Sequence, residues 1–414
     1  MAQTLKFGNK VWAAKEESVL AYNDINNNYK PLPFFFKRTS IGTRVNKDGL
    51  IETMGQDIAR IDYSDSAEGV LLLEPSSTNL FEYSEDFSVS YWLKLGVGSA
   101  SAPIVTADYA TSPDGTQNAT RVQFDAVGNS NADRSGLVRT FAFTTGQTYS
   151  ISCWVKSTNG TSQVIQFRIA GAQVSEEQTA TSEWKLYTAT FTATVSTTDQ
   201  FGMQIRGINS VNESDILIYG MQLELLDYPT SYIPTSGSTV TRAAEVCNNS
   251  GNSEVFNDSE GVLFADIRKQ ENGGSTQVIS LSDGSTNNNV YLSLPSTPNV
   301  INVEVLASGS QANLSSASTN QSNQNKFAIK YKQNDFVLWI NGFEVDTDNS
   351  GNTPVGLNKI NFDFGQGSFD FYGKTKEIGY YDTALTDLEL ETLTSYRNWV
   401  SMVNELNLNI IYNG

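Results

Sequence analysis

The stretch Tyr149-Ser150-Ile151-Ser152-Cys153-Trp154-Val155 sets every second residue, from Tyr149 to Val155, on a mainly apolar face. A period of two is the signature of a β-strand, in which successive side chains point to opposite faces of the sheet. Turn-forming residues separate this stretch from further segments with the same period. Those segments are 165–169, 187–191 and 201–205. Short strands joined by turns predict an antiparallel sandwich.

Outward from this stretch, the chain divides into five predicted segments. They are residues 1–78, an irregular N-terminal arm; 79–235, a jelly-roll domain; 236–251, a linker; 252–396, a second sandwich; and 397–414, a helix and tail. In the arm, Phe34-Phe35-Phe36 lies near prolines, and Asp48-Gly49 predicts a type I′ hairpin turn within Thr43–Glu52. We expect the arm to anchor the protein by packing on a partner. The predicted fold class is all-β, with two antiparallel β-sandwich (jelly-roll) domains and a short C-terminal helix.

Helix signals are confined to the C-terminal region. Thr386 and Glu389 have the spacing of a capping box, and Leu385 and Leu390 that of a hydrophobic staple. Further on, apolar residues recur at helical spacing and predict a terminal amphipathic helix. They are Trp399, Met402, Val403 and Leu406.

Composition excludes several classes of function. The 414 residues carry a formal net charge of −18 with no basic run, which argues against a nucleic-acid partner. No stretch reaches the length of a transmembrane helix. The sequence contains no histidine, so a Ser-His-Asp triad, a Cys-His pair and most transition-metal sites are excluded. The two cysteines, Cys153 and Cys247, are expected to be buried thiols.

Glycan cleavage by two carboxylates is the remaining catalytic possibility. Concanavalin-like glycosidases place Glu-x-Asp-x-x-Glu on one strand. Glu213-Ser214-Asp215 begins that pattern but reaches Ile218, and Glu344-Val345-Asp346 reaches Asn349, where the second Glu is required. We therefore expect no catalytic residues and no enzymatic activity.

A glycan-binding face is predicted on the residues that alternate with the apolar ones. They are Trp154, Gln166, Arg168, Gln204 and Arg206. An aromatic plane stacks on a sugar ring, while amide and guanidinium groups donate hydrogen bonds to hydroxyl oxygens. The same residues could instead form a subunit interface, or Trp154 could lie under the N-terminal arm.

The segment Asp346-Thr347-Asp348-Asn349-Ser350-Gly351 resembles the start of a calcium loop. Asp346, Asp348 and Ser350 occupy ligand positions one, three and five. Position twelve is Leu357, which cannot supply the bidentate carboxylate. A hairpin loop is the favoured interpretation, and a structural calcium ion is the alternative. No other cofactor is expected.

Three parts of the chain resemble bacteriophage structural proteins. Residues 43–52, with Leu71-Leu72-Leu73-Glu74-Pro75 and Thr78-Asn79-Leu80, resemble the opening of many tail and fibre proteins. Residues 219–224 with 228–235 resemble the close of their jelly-roll domain, which is similar to a carbohydrate-binding module. Residues 379–386 resemble the last strand and helix of a laminin-G or concanavalin A-like sandwich.

This resemblance implies a virion structural protein, such as a tail fibre, head fibre or spike, that acts as a non-enzymatic adhesin for host-surface glycans. By analogy with phage fibres it implies a homo-oligomer, a trimer, whose other partners are virion proteins. Two alternatives stay open: a purely structural decoration or connector protein of the virion, and a polysaccharide depolymerase. Residues 1–6 lack a signal peptide's apolar core, so we expect synthesis in the host cytoplasm before assembly into the virion.

Overall fold

The computed structural model describes residues 4–8, 12–20, 31–169 and 174–408, which form thirty-two strands and two helices. The strands are β1 (Leu5–Gly8), β2 (Ala13–Lys15), β3 (Ser18–Leu20), β4 (Phe34–Lys37), β5 (Gly42–Val45), β6 (Ile51–Met54), β7 (Arg60–Asp62), β8 (Val70–Leu73), β9 (Ser77–Asn79), β10 (Leu93–Val97), β11 (Ser101–Ala110), β12 (Ala119–Asp125), β13 (Arg134–Phe143), β14 (Thr148–Ser157), β15 (Gln163–Ile165), β16 (Phe167–Arg168), β17 (Gln178–Ala180), β18 (Lys185–Thr192), β19 (Thr197–Arg206), β20 (Glu213–Glu224), β21 (Val240–Arg242), β22 (Val246–Asn248), β23 (Glu260–Lys269), β24 (Gln277–Ser282), β25 (Asn288–Leu294), β26 (Ile301–Ala307), β27 (Ser310–Ser316), β28 (Asn325–Lys332), β29 (Phe336–Ile340), β30 (Phe343–Asp348), β31 (Lys359–Asn361) and β32 (Gly373–Tyr381). The helices are α1 (Asp387–Thr394) and α2 (Trp399–Glu405). The all-β class and the antiparallel sheets predicted from the sequence are confirmed.

The jelly-roll unit comprises residues 42–53 and 76–243. Its main sheets have the strand orders β10-β13-β19-β16 and β11-β12-β20-β14-β18. The inward faces of these strands form one apolar core, to which Ile151 and Cys153 of β14 contribute side chains that are fully buried. Alternate residues of these strands face the core, which explains the period of two in the sequence.

The second unit comprises residues 1–41, 54–75 and 244–414. Its eight-stranded sheet has the order β30-β29-β28-β23-β32-β8-β7, with β1 also paired to β32, and its five-stranded sheet has the order β27-β26-β25-β24-β31. One apolar core joins residues from both sheets. Phe7, Phe34 and Phe36 from the N-terminal region are among its fully buried members, with at most 1% of each residue exposed.

The observed division of the chain differs from the five predicted segments. Instead of a separate arm, the described parts of 1–78 belong to both units, and β1, β7 and β8 pair within the eight-stranded sheet. The predicted linker at 236–251 also contains strands, since β21 pairs with β9 and β22 pairs with β4. The sequence period identifies a strand but not its partner, because the pairing of strands far apart in sequence depends on the tertiary structure. The proposed anchoring role of 1–78 stays a prediction.

A buried ion cluster joins the N-terminal strands of the second unit to residue 245. Glu245 accepts hydrogen bonds from Arg38 Nη1 at 2.7 Å, Arg60 Nε at 2.8 Å and the backbone N–H of Glu74 at 2.9 Å. Its side chain and those of both arginines are 0% exposed. Burial alone would lower the pKa of Arg60, but Glu245 and Glu74 outweigh this effect and raise it. Because these charges are buried away from water, removing any one of them would leave its partner uncompensated.

The predicted helix signals are present, with one difference. In α1 the backbone N–H of Thr386 donates to Glu389 Oε2 at 2.9 Å, completing the capping box. In α2 Val403 is buried, whereas Trp399 is 65% exposed rather than packed on the protein. Among the described residues, no helix has both the length and the apolar character needed to cross a membrane.

Two further local predictions can be compared with the structure. The hairpin of β5 and β6 forms, but its turn spans Asn46 to Gly49, and Gly49 has a positive φ of 79° whereas Asp48 does not. A type I′ turn requires positive φ at both central residues, so that turn type was wrong. Cys153 and Cys247 are free and buried, as expected.

Candidate functional site

The four-stranded sheet of the jelly-roll unit carries a polar outer face, called here the arginine face. It is formed by Arg134 on β13, Gln204 and Arg206 on β19, Arg168 on β16 and the neighbouring Gln166. Antiparallel register places Arg134 opposite Arg206 and Arg168 opposite Gly202. Residues directly opposite each other share a face, so three guanidinium groups project from the same side of this sheet.

Arg168 lies deep in the arginine face, with a side chain only 5% exposed. Its Nη2 donates to Asp199 Oδ1 at 2.9 Å, and its Nε donates to the backbone oxygen of Gln200 at 3.2 Å. Its Nη1 is buried and has no hydrogen-bond partner among the residues that the structure describes. An unsatisfied buried donor costs about 1–3 kcal/mol, so an acceptor placed here would be stabilised.

Arg206 is held in place by side-chain hydrogen bonds. Its Nη1 donates to Asn131 Oδ1 at 2.5 Å. In the orientation that satisfies both groups, the Gln204 amide oxygen accepts from Arg206 Nε at 2.7 Å. Gln166 donates through Nε2 to the backbone oxygen of Ser175 at 2.9 Å. These contacts fix the amide and guanidinium groups before any ligand arrives, which reduces the entropy lost on binding.

Electrostatic repulsion within the arginine face appears in the pKa values of its members. Burial lowers the pKa of Arg134, the positive charge of Arg168 lowers it further, and the negative charge of Asp199 offsets part of this effect. Burial likewise lowers the pKa of Arg206, with Arg134 and Arg168 adding to the effect. The folded protein thus keeps these cations together despite an unfavourable electrostatic energy.

An apolar strip borders the arginine face on the edge strand β10. Leu93, Leu95 and Val97 lie opposite Val138, Gly136 and Arg134 respectively, so they share the face that bears the arginines. All three strip residues are half-buried. A sugar ring presents C–H groups on one side and hydroxyl groups at its edge, and this surface offers both an apolar and a donor-rich zone.

Gly202 lies where the backbones of β13 and β19 approach each other closely. Its φ is 147°, and an added Cβ would lie 2.4 Å from the backbone oxygen of Leu137. A side chain at this position would therefore displace the neighbouring strand. Gly136, opposite Gln204, also carries no side chain, and the buried Val138 lies on the same face opposite Gly202.

The structure brings together four of the five residues predicted to bind carbohydrate. Gln166, Arg168, Gln204 and Arg206 share the arginine face, although each is less than 9% exposed. Trp154 instead lies on β14 of the five-stranded sheet, opposite Leu186 and Tyr219. Arg134 was not among the predicted site residues. The signal that could have revealed it is the alternation within Arg134–Phe143, which small residues weaken.

The predicted calcium loop forms the edge strand β30 and the turn after it. Asp346 Oδ2 accepts from the backbone N–H of Ser315 at 2.9 Å. Asp348 Oδ1 accepts from the backbone N–H and the hydroxyl of Ser350, both at 2.9 Å. Within the described ranges, no group of three or more acidic or cysteine side chains could hold a metal ion. The loop oxygens already have donors, which fits the hairpin interpretation.

Fold and site together define an all-β protein whose jelly-roll unit carries a preformed polar face. No protein-family model and no curated protein matches the sequence. Solved structures with a similar fold include the CBM40 module of Ruminococcus gnavus IT-sialidase bound to α2,3-sialyllactose, with 17% identity, 36% of this chain and 94% of that chain covered, and a TM-score of 0.30.

For two further solved structures, the region of similarity covers most of this chain and most of the other chain. The tandem CBM22 domains of Paenibacillus barcinonensis Xyn10C share 11% identity over 77% of this chain and 94% of theirs, with a TM-score of 0.27. Mouse laminin α1 domains LG4-5 share 10% identity over 70% of this chain and 96% of theirs, with a TM-score of 0.23. Likenesses at these identities and TM-scores transfer no function to the chain.

Proposed function

We propose that this chain is a bacteriophage virion structural protein, a tail fibre, head fibre or spike, that binds host-surface glycans without cleaving them. The observation that carries the glycan-binding part is the arginine face, where preformed fork-shaped donors border an apolar strip. Guanidinium and amide groups supply the directional hydrogen bonds that sugar hydroxyls require, and the strip supplies contact area. The virion part rests on a sequence resemblance in residues 43–52, 71–75, 78–80, 219–224, 228–235 and 379–386.

Weak sites of this kind act through multivalency. A homo-oligomer, proposed to be a trimer, would present several arginine faces on one particle. Once one site is occupied, the others bind at a raised effective concentration, so overall affinity rises without new contacts. Light scattering after size-exclusion chromatography measures the stoichiometry directly, and a strictly monomeric protein would remove this part of the proposal.

The test is binding of fluorescently labelled protein to host cells before and after mild periodate oxidation of their surface sugars. We expect periodate to abolish binding and Arg168→Gln to weaken it at least tenfold. Arg121→Gln is the matched control, because Arg121 pairs with Asp215 at 2.5 Å on the five-stranded sheet and has a side chain 25% exposed. It removes the same charge from the same unit.

The outcomes separate the proposal from its alternatives. Binding to purified virion proteins, with none to cells, would favour a connector or decoration protein. Release of reducing ends from host polysaccharide would favour a depolymerase. Loss of cell binding in both Arg168→Gln and Arg121→Gln would show that overall charge, rather than the arginine face, drives attachment.

A further inference from the structure

We infer that the arginine face selects a glycan that carries a carboxylate, such as a uronic or sialic acid, over a neutral sugar. This inference rests on the proposed function and narrows it to one chemical class of ligand. Three observations support it: the convergence of Arg134, Arg168 and Arg206, the unpartnered Nη1 of Arg168, and the apolar strip on β10.

Positive charge on the arginine face is the first reason. Three guanidinium groups meet on one face, and the nearby carboxylates are Asp199, Asp133 and Glu177. Asp199 pairs with Arg168, while Asp133 accepts the backbone N–H of Ser99 at 2.7 Å and Glu177 accepts the amide of Asn209 at 2.8 Å.

Arg134 is attracted to Asp199, the same carboxylate that pairs with Arg168. Among the residues that the structure describes, no hydrogen bond or ion pair joins the half-buried Arg134 side chain to an acidic group. A structural role would normally pair a buried cation with an anion in direct contact, since unpaired burial is costly. An arginine that shares one carboxylate with Arg168 is suited to a ligand that brings further negative charge.

Hydrogen-bond geometry is the second reason. The Nε and Nη2 of Arg168 donate to Gln200 and Asp199, so the buried Nη1 is the donor of this guanidinium that remains without an acceptor among the described residues. A carboxylate oxygen accepts from this group through a charge-assisted bond, which is about twice as strong as a neutral one. A sugar hydroxyl could satisfy the donor but would leave the repulsion among the arginines unchanged.

The width of the sheet is the third reason. From β10 to β16 the sheet spans three steps between neighbouring strands, roughly 14 Å at the usual spacing. That width fits a short oligosaccharide, with apolar ring faces on Leu93, Leu95 and Val97 and the anionic group toward β19 and β16. A bare inorganic anion would use the arginines but gain nothing from the strip.

The net charge of −18 argues for local recognition instead of general attraction to polyanions. Long-range forces repel an anionic polymer from this protein. Binding of an acidic sugar would therefore depend on the arginines of one face at short range. We expect a modest salt dependence, because partly buried charge pairs are screened less than exposed ones.

The experiment compares probes with and without carboxylate groups. Isothermal titration would measure sialyllactose against lactose, and a trigalacturonate against its methyl ester. We expect the carboxylated member of each pair to bind at least tenfold more tightly. Arg134→Gln should remove that preference, and Arg121→Gln, which lies on the other sheet, should retain it.

Thermal unfolding provides a second readout that does not require the probes. Because Arg134 and its neighbours repel one another, Arg134→Gln should leave the melting temperature unchanged or higher, so lost binding cannot come from misfolding. A lower melting temperature in Arg134→Gln would indicate a structural role for this residue and overturn the inference.

The remaining outcomes distinguish the two levels of the proposal. Equal affinity for charged and neutral probes, lost in Arg168→Gln, would retain glycan binding and reject carboxylate selection. Tighter binding of a heparin trisaccharide than of the carboxylated probes would also reject it, in favour of sulfate. If no probe binds and the labelled protein does not attach to periodate-sensitive cell sugars, both the inference and the proposed function fail.

Discussion

Replacing Glu245 by glutamine should destabilise the second unit strongly, because this carboxylate neutralises two buried guanidinium groups. Its oxygens accept four N–H donors: two from Arg60, one from Arg38 and one from the backbone of Glu74. In Glu245→Gln the amide nitrogen would face some of these donors, and Arg38 and Arg60 would both lose a carboxylate that they contact directly. The local network would carry an excess positive charge in a site that excludes water.

The size of the effect follows from the burial of the cluster. All three charged side chains in the Glu245 pairs are 0% exposed, so solvent screening does not reduce the loss. Removing one partner of a buried ion pair typically costs about 3–5 kcal/mol. Domains are stable by only about 5–15 kcal/mol. With a urea dependence near the upper end of about 1–3 kcal/mol per molar, the unfolding midpoint should fall by roughly 1 M or more.

Urea unfolding followed by circular dichroism would measure this loss. Hydrogen–deuterium exchange would locate it, with faster exchange in β8 and β22 and none of that change in β14. Glu260→Gln is the matched control in the same unit, because Glu260 pairs with Lys332 at 2.8 Å where the side chains are 26% and 50% exposed. An exposed pair contributes about 0–1 kcal/mol.

The reasoning would be refuted if the two variants lost the same small amount of unfolding free energy. Equal losses would mean that water reaches Glu245, and that the cluster does not hold the N-terminal strands to the rest of the unit. Faster exchange in β14 alone would likewise contradict the assignment of Glu245 to the second unit.

Three other predictions follow from the described contacts. Burial raises the pKa of Asp266 to about 6, so ionisation of this carboxyl group opposes folding above that pH. Asp266→Asn should therefore add about 3 kcal/mol to the free energy of unfolding at pH 7. Melting curves should show this gain vanish as the pH falls from 6 toward 4. A gain that grows at low pH would contradict that assignment. Trp154→Ala should change sialyllactose affinity less than twofold in a titration, since Trp154 lies on the other sheet; a tenfold loss would place it in the site. Calcium or a chelator should leave the melting temperature unchanged, because Asp346 and Asp348 already accept N–H donors; a calcium-dependent rise that Asp348→Asn abolishes would establish the metal site.

The sequence alone determined the class of structure and the local elements. Alternation at 149–155 and 201–205 predicted strands, and the spacing of Thr386 and Glu389 predicted the start of α1. These features depend on neighbours within a few residues, where backbone geometry and side-chain type decide the outcome. The absence of histidine likewise excluded whole classes of catalysis without any structure.

Tertiary structure alone decided which strands are neighbours, and with that the composition of the candidate site. The alternation of apolar and polar residues indicated that Trp154 and Arg168 point away from the core. It did not indicate that they lie on different sheets. Arg134 joined the site only because β13 pairs with β19. The N-terminal strands entered the second unit through pairing and through the Glu245 cluster, contacts that link residues far apart in sequence. A side-chain pattern specifies the face of a strand, whereas its partner is selected by the free energy of the whole core.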